Sequence, residues 1–249
     1  MIHMQIWHDS LIQKPLSRSI VHIWRVPACP APVALDYWRA VLTAREHERL
    51  RRYNQEAARR KSVGWGARRI LLGRYLRCDP RAVPLQTSPT GQPVIEGETD
   101  GLNFSVTYSA AWTVVAVARE RRLGVDAEWV RNVDVAELAP ICLSPNERAE
   151  WSVNAPTAEQ ELQRFFPMWT CKEAYLKARG TGLEKELHSV AIRFSAEGTI
   201  DRIESADDPL AAARWSIRQL TIDRTTLVTL VAERLGADFG LWFGSLTPD

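Results

Sequence analysis

The sequence predicts a mixed α+β protein, and two features of the chain lead to this fold class. Segments with the composition of β-strands occur in runs, without the regular alternation of strand and helix found in parallel sheets. Between these runs lie long segments whose apolar residues recur at intervals of three and four, the period of an amphipathic helix. The chain has 249 residues, of which 45% are hydrophobic and 25% charged. It is long enough for one large domain or for two of about 120 residues each.

The first half of the chain is predicted to contain a strand, helices and a hairpin. β-branched residues favour a strand at 21–26, and the proline-rich run at 27–32 ends it. Helices are expected at 35–44 and at 45–77, where an Asp-Pro pair at 79–80 follows. Residues 87–93 have the composition of a turn, and residues 103–109 and 113–118 that of a β-hairpin.

The second half is predicted to begin with a strand at 123–130. Three helices follow in the prediction, at 135–142, 145–152 and 159–179. The last part of the chain reads as antiparallel strands at 189–194, 214–222 and 227–232.

Basic and acidic residues are distributed unevenly along the chain. The net charge of the whole chain is +2. Residues 1–90 contain 16 basic and 6 acidic side chains, whereas residues 91–249 contain 16 basic and 24 acidic ones. A basic region facing an acidic one suits a polyanionic ligand that brings a divalent metal ion. A solvated, arginine-rich helix face explains the basic half as well, so charge alone leaves both interpretations open.

The sequence has no signal for a membrane or for secretion. Its longest apolar stretches fall far short of the roughly 20 residues of a membrane helix, and the first residues lack the basic and apolar regions of a signal peptide. The four cysteines, Cys29, Cys78, Cys142 and Cys171, lie far apart and form no CxxC pair. This spacing is typical of reduced thiols, so we expect a cytoplasmic protein without a disulfide framework or zinc site.

Two carboxylates occur close together on the predicted strand at 123–130. Asp126 and Glu128 are two residues apart, so both project from the same face of a strand. Like charges in this arrangement repel each other unless solvent screens them or a cation lies between them. The pair therefore indicates either a solvated strand face or part of a metal site.

A second charged pair lies on the predicted helix at 159–179. Glu173 and Lys177 stand four residues apart and share a helix face, which by itself indicates only a surface ion pair. Together with Asp126 and Glu128, however, Glu173 completes a set of hard oxygen ligands suited to Mg²⁺. Lys177 could then stabilise a phosphate oxygen or a leaving group. This set predicts phosphoryl-type transfer, and the absence of a GxxxxGKS/T sequence excludes a P-loop enzyme.

Several strings resemble the signature motifs of the Sfp-type phosphopantetheinyl transferases. GVDAEWV (124–130) is similar to the family's G-I/V-D-x-E strand, and WTCKEAYLKARGTGL (169–183) to its W-x-x-K-E-A/S-x-x-K-x-x-G-x-G-L helix. NFSVTYSAAW (103–112) is similar to the segment F-N-x-S-H-S-x-x-W, and PTGQP (89–93) to a G-K-P turn. The likeness covers residues 45–192, and the helix motif is its most specific part.

The resemblance implies a role for each matching residue in the metal site. Asp126, Glu128 and Glu173 correspond to the carboxylates that bind Mg²⁺, with Mn²⁺ as an alternative ion. Lys177 corresponds to the lysine that contacts the phosphates of coenzyme A, the co-substrate, and Lys172 is expected to face phosphate as well.

Glu147 corresponds in this resemblance to a glutamate that helps to activate the attacking serine. A structural interpretation is equally open, because Ser144, Pro145 and Glu147 have the pattern of a helix capping box.

The chain departs from the family pattern in two segments that contact coenzyme A. Thr107 and Tyr108 occupy one of them, and Tyr108 stands where the family has a histidine. Gln92 stands where the family has a lysine, so both differences remove positive charge, although tyrosine can donate one hydrogen bond. Arg49 and Arg60 align with contacts to the adenosine 3′-phosphate and are expected to compensate.

The implied fold is an α+β pseudo-dimer, with two similar halves in one monomer and the active site in the cleft between them. Residues 1–120 would supply contacts to the adenosine and phosphates, and residues 121–249 the metal-binding strand and the signature helix. The implied activity moves the phosphopantetheine arm of coenzyme A to a serine of an apo acyl, polyketide or peptidyl carrier protein and releases 3′,5′-ADP. The basic first half would attract an acidic carrier.

Other functions stay open at this point. A metal-dependent phosphohydrolase or nuclease could use the same carboxylates with water. An inactive relative could survive as a binding protein. A nucleic-acid-binding module is less consistent with the sequence, because aromatic residues are not interleaved with the basic run. We therefore expect neither nucleic acid nor a membrane among the partners.

Overall fold

The fold is mixed α+β, as predicted. The computed structural model describes residues 7–9, 14–28, 32–97, 99–153, 157–182, 187–234 and 239–248. Its α-helices are α1 (Pro32–Ala40), α2 (Ala44–Leu50), α3 (Gln55–Leu76), α4 (Val135–Cys142), α5 (Pro145–Val153), α6 (Ala158–Arg179) and α7 (Ala211–Arg214). Its strands are β1 (His8–Asp9), β2 (Ile20–Pro27), β3 (Leu85–Thr87), β4 (Pro93–Ile95), β5 (Leu102–Tyr108), β6 (Trp112–Arg119), β7 (Leu123–Trp129), β8 (Val190–Phe194), β9 (Ile200–Ser205), β10 (Trp215–Thr221), β11 (Thr226–Glu233) and β12 (Gly240–Ser245).

In the first half of the chain, a long helix covers one face of a sheet. β2 pairs with β6 and β6 with β5, all antiparallel, and β12 from the end of the chain adds in parallel beside β2. Helix α3 begins at Asn54, whose side chain accepts a hydrogen bond from the N–H of Ala57. It buries Val63, Ala67 and Leu71 in the core of this half.

The second half contains a similar series of elements, with the short helix α7 before its last two strands. A strand (β7) precedes three helices, a two-stranded ribbon (β8 and β9) and an antiparallel hairpin (β10 and β11), and the sheet order is β10-β11-β7. Helix α6 begins at a capping box formed by Thr157 and Gln160. It buries Phe165, Met168 and Tyr175 in a core that belongs to this half.

A third group of buried side chains joins the two sheets. Ile23 and Ala116 from the first sheet pack in one cluster with Val125 and Leu230 from the second. Strand β5 lies beside β7, where the hydroxyl oxygen of Ser105 accepts a hydrogen bond from the N–H of Val125 at 3.0 Å. Besides the core of each half, the two sheets therefore share a third buried cluster, and β5 lies against β7 where they meet.

The predicted helices of the second half are confirmed to within one residue at each end, but the first half differs from the prediction. Helix α1 ends at Ala40, and α2 begins only after Thr43, which forms a capping box with Glu46. Residues 51–54 separate α2 from α3, so the predicted helix at 45–77 is two helices. Strands β1, β3, β4, β9 and β12 and helix α7 were not predicted; β1, β3, β4 and α7 have only two to four residues each, too few for a periodic signal.

None of the helices in the described ranges has the length and apolarity that a bilayer span requires. Cys78, Cys142 and Cys171 are free thiols, and Cys29 lies outside the described residues.

Candidate active site

One cavity of about 530 Å³ opens where the two halves meet. Its walls come from α2, α3, the β3-β4 ribbon and β5 of the first half, and from β7 and α6 of the second. Most of its basic side chains come from the first half and most of its acidic ones from the second. The charged residues that line it are Arg45, Glu46, Arg49, Lys61, Arg68, Arg69, Asp126, Glu128, Glu173 and Lys177. The uneven charge of the sequence is thus concentrated on two sides of a single cavity.

Strand β7 brings two of the predicted metal ligands to this cavity. Asp126 and Glu128 both line it, as their two-residue spacing on a strand predicts. The strand can approach α6 closely because Gly124 has no side chain. A Cβ atom at Gly124 would overlap the carbonyl oxygen of Ala174 and lie 2.9 Å from Cβ of Lys177. The glycine of the strand motif therefore sets how near the two acidic residues lie to the helix.

Helix α6 supplies the third carboxylate and a lysine. Nζ of Lys177 donates a hydrogen bond to Oδ1 of Asp126 at 2.6 Å and lies 3.8 Å from Oε2 of Glu173. The hydroxyl of Thr107 on β5 donates to the same Asp126 oxygen at 2.8 Å. The sequence predicted that Lys177 pairs with Glu173 on the same helix, but the shorter contact of Lys177 is with Asp126 on β7.

Burial and mutual repulsion raise the pKa values of two acidic residues in the cavity. Removal from water, followed by repulsion from Asp126, raises the pKa of Glu173 to about 7. The same two causes raise the pKa of Glu128. Lys177 opposes both shifts without cancelling either one. Because the negative charges repel each other, a cation between these groups would be stabilised here.

The three carboxylates of the cavity, Asp126, Glu128 and Glu173, are the type of ligand that a hard divalent cation prefers. Oδ2 of Asp126 is buried and has no hydrogen-bond partner among the described residues, which leaves a ligand oxygen free. Across the same described ranges, no group of three His, Cys, Asp or Glu side chains is arranged to hold a metal ion. The ammonium group of Lys177 lies between Asp126 and Glu173 instead, and Glu128 contacts Arg131 at 3.4 Å.

The segments predicted to contact coenzyme A also reach the cavity. Gln92, Thr107 and Tyr108 all line it. The ring of Tyr108 lies directly against the backbone of α3 at Gly64, where an added Cβ atom would overlap the ring. Gly64 therefore makes room for this side chain, which explains a glycine in the middle of a long helix.

The end of the signature helix packs against the turn that carries Gln92. Gly180 ends α6 with a left-handed φ of 70°, and Gly182 (φ 75°) passes the turn so closely that a Cβ atom would lie 2.8 Å from Cβ of Thr90. The hydroxyl of Thr90 donates to the carbonyl oxygen of Gly180 at 3.3 Å. Leu183, the last residue of the motif, lies outside the described residues.

Arg49 and Arg60, the two arginines predicted to compensate for the charge missing at Tyr108 and Gln92, line different cavities. Arg49 lines the cavity, with its guanidinium group 5.1 Å from the ring centroid of Trp65. Arg60 lies 3.3 Å from Glu56 and lines a neighbouring cavity of about 270 Å³. Tyr108 borders both cavities.

Lys172 and Glu147 lie in the interior of the second half and do not line the cavity. Nζ of Lys172 lies 2.5 Å from Oε2 of Glu147, which also accepts a hydrogen bond from the N–H of Ser144 at 2.7 Å. The other oxygen of Glu147 accepts from the N–H of Ile192 at 2.7 Å. Glu147 has the contacts of the capping box, one of the two roles left open for it in the sequence, whereas Lys172, expected to face phosphate, faces the carboxylate of Glu147 and not the cavity.

Several cavity residues were missed in the sequence. Lys61, Trp65 and Arg68 line the cavity from one face of α3, and Trp169 lines it from α6. The spacing of Lys61, Trp65 and Arg68, by four and then three residues, is the signal that could have identified this face.

Known proteins similar to this chain share one activity in their names. Residues 122–229 match the 4′-phosphopantetheinyl transferase superfamily. The chain is 31% identical to the 4′-phosphopantetheinyl transferase HetI of Nostoc sp., over 89% of this chain and 91% of that protein. It is 25% identical to the 4′-phosphopantetheinyl transferase Sfp of Bacillus subtilis, over 66% and 72% of the two chains. A phosphopantetheinyl transferase of Thraustochytrium sp. is 26% identical over 80% of this chain and 73% of its own length. The chain belongs to the 4′-phosphopantetheinyl transferase family.

Proposed function

We propose that this protein transfers the phosphopantetheine arm of coenzyme A to a serine of an apo carrier protein and releases 3′,5′-ADP. The observation that carries the proposal is the single cavity lined by Asp126, Glu128, Glu173 and Lys177 on one side and by arginines on the other. The names of the relatives support transfer over hydrolysis by the same carboxylates.

We propose that residues 1–120 and 121–249 are two pseudo-twofold related halves. The similar series of elements supports this arrangement, as do the long helices α3 and α6, which have 22 residues each. In this arrangement the first half supplies contacts to the coenzyme and the second half most of the metal site.

Asp126, Glu128 and Glu173 are proposed to hold Mg²⁺ or Mn²⁺, which when bound neutralises negative charge on the diphosphate of coenzyme A. The unpaired, buried Oδ2 of Asp126 supports this assignment.

The chain's own side chains are proposed to handle the proton and the leaving group. The serine oxygen of the carrier forms a bond to the β-phosphorus as the bond from that phosphorus to 3′,5′-ADP breaks. Glu173 accepts the serine proton. Lys177 stabilises the negative charge on the departing 3′,5′-ADP. Positioning of the two reactants supplies most of the remaining acceleration.

Arg49, Gln92, Thr107 and Tyr108 are proposed to contact coenzyme A, since all four line the cavity. Arg60 lies in the neighbouring cavity and is proposed to act at its edge. The carrier is proposed to be an acidic helical protein of fatty acid, polyketide or peptide synthesis, and the enzyme a monomer. The free thiols support a reducing, cytoplasmic setting.

A mass measurement tests the activity. The protein is incubated with coenzyme A, Mg²⁺ and apo carrier proteins of several types, and the carrier is weighed by mass spectrometry. We expect the mass of one phosphopantetheine arm on a serine. Asp126→Asn is expected to slow the transfer by at least about 100-fold, whereas Asp201→Asn, an exposed aspartate outside the cavity, leaves it unchanged. Carriers that all stay unmodified would refute the proposal.

A further inference from the structure

Two arginines surround one buried glutamate at the floor of the cavity. Nε of Arg69 donates to Oε2 of Glu46 at 2.6 Å, and Nη1 of Arg69 is within hydrogen-bond distance of three backbone carbonyl oxygens. The same Glu46 oxygen accepts hydrogen bonds from the N–H and hydroxyl of Thr43, in the capping box of α2. Glu46 is therefore already bound by the fold without Arg68.

The second half of the chain provides an internal comparison. Its capping-box glutamate, Glu147, is bound by the single cation Lys172. Arg69 and Lys172 occupy the same position of the two 22-residue helices, each 14 residues after the first residue, Gln55 in α3 and Ala158 in α6. One cation at this position is thus sufficient to hold the buried glutamate in this architecture.

The residue before this position differs between the two halves. In α6 it is Cys171, which is fully buried and neutral at physiological pH, since burial raises its thiol pKa. In α3 it is Arg68, which is 8% exposed and lines the cavity. The first half therefore carries one buried positive charge more than the matching element requires.

The contacts of Arg68 leave much of its hydrogen-bonding capacity free. Its Nη2 lies 3.3 Å from Oε1 of Glu46, which is at the long end of the range for such a bond. Its Nε is buried and has no partner in the described ranges. A buried guanidinium group with an unpaired donor is unfavourable unless an anion completes it. Arg45 and Arg49, by contrast, are exposed at the rim, where water screens their charge.

We propose that Arg68 binds a phosphate group of coenzyme A. This assignment rests on the proposed function, and it adds a contact that supplies positive charge where Gln92 and Tyr108 bring none. A guanidinium group suits this role because its planar set of donors matches the oxygens of a phosphate. A bound phosphate would balance the surplus positive charge of the first half.

The test measures binding and stability separately, with the full chain and without a carrier. Arg68→Gln is compared with wild type by calorimetry, using coenzyme A and dephospho-coenzyme A, which lacks the 3′-phosphate. Loss of a charged hydrogen bond is expected to raise the Kd for coenzyme A about 10- to 100-fold. Arg51→Gln removes the same charge from an exposed side chain outside the cavity and is expected to change the Kd less than about twofold.

The two ligands identify the phosphate that Arg68 contacts. An equal loss of affinity for both assigns Arg68 to the diphosphate, and a loss confined to coenzyme A assigns it to the 3′-phosphate. Urea unfolding of the ligand-free proteins is the second measurement. We expect Arg68→Gln to be at least as stable as wild type, because it removes a buried charge, and to lose most of the stabilisation by coenzyme A.

An Arg68→Gln protein that unfolds at lower urea concentration but binds both ligands within twofold of wild type would overturn the proposal and give Arg68 a structural role. Arg68→Lys, which keeps the charge, is expected to recover part of the affinity, and equal Kd values for the Lys and Gln variants would also contradict it. Because these measurements need no carrier protein, they can succeed or fail independently of carrier modification.

Discussion

Glu173→Gln should make the metal-free protein more stable at alkaline pH while it impairs the enzyme. The folded-state pKa of Glu173 lies at about 7, above its ordinary value of 4.5, because of burial and repulsion from Asp126. A raised folded-state pKa means that the ionised form is unfavourable in the folded protein. The resulting destabilisation is absent below pH 4.5, grows between pH 4.5 and about 7, and stays constant at higher pH. The difference corresponds to about 3 kcal/mol of destabilisation at pH 8, which the neutral glutamine does not carry.

Urea unfolding in the presence of a chelator measures this difference. We expect Glu173→Gln to exceed wild type in free energy of unfolding by about 2–3 kcal/mol at pH 8 and by almost nothing at pH 4.5. Glu48→Gln, on an exposed side chain paired at 3.4 Å with Arg51, should change stability by less than about 0.5 kcal/mol. With excess Mg²⁺ the order should reverse, since only wild type gains from binding. A Glu173→Gln protein less stable than wild type at pH 8 without metal would refute the electrostatic reasoning.

Three further substitutions test the coenzyme contact of Tyr108, the buried pair of Lys172 and Glu147, and the packing of Gly64 against Tyr108. Tyr108→His should lower the Kd for coenzyme A, because a histidine adds positive charge near the phosphates; weaker binding in calorimetry would count against placing this segment at the coenzyme. Lys172→Met should cost about 3–5 kcal/mol of unfolding free energy by leaving the Glu147 carboxylate buried without its cation, and a loss of activity in fully folded protein would instead restore a role for Lys172 at the active site. Gly64→Ala places a methyl group against the Tyr108 ring and should cost about 1–3 kcal/mol. In a double-mutant cycle, Tyr108→Ala should recover much of this loss, and strictly additive effects would show that the two residues do not touch.

The elements that were predicted well share a physical property. Strands β6 and β7 are buried along almost their whole length, and α6 buries Phe165, Met168 and Tyr175 at helical spacings, so each element carries a long run of apolar residues. The break between α2 and α3 was missed because it depends on the side-chain cap at Asn54, which interrupts a segment of otherwise continuous helical pattern. The parallel strand β12 was missed because its pairing partner, β2, lies far away in the sequence.

Some residues of the candidate site could likewise be identified from the sequence, and others could not. Asp126 with Glu128 and Glu173 with Lys177 could be selected in the sequence because short spacings on a strand and a helix put each pair on one face. Arg68 could not be separated from Arg69, its neighbour, until the packing showed that Glu46 and backbone carbonyl oxygens bind Arg69, whereas Nε of Arg68 has no partner among the described residues. Glu147 likewise matched both a cap and a catalytic group, and its hydrogen bonds to Ser144 and Lys172 decide for the cap.

The sequence by itself determined the α+β class, the two charged motifs and the family likeness, because each depends on residues close together in the chain. Only the tertiary structure decided that β7 and α6 present their charges to the same cavity as the arginines of the first half. That outcome depends on contacts between distant segments, such as the close approach at Gly124. Local spacing sets the direction of a side chain, whereas packing across the chain sets which groups meet and which are buried with a partner.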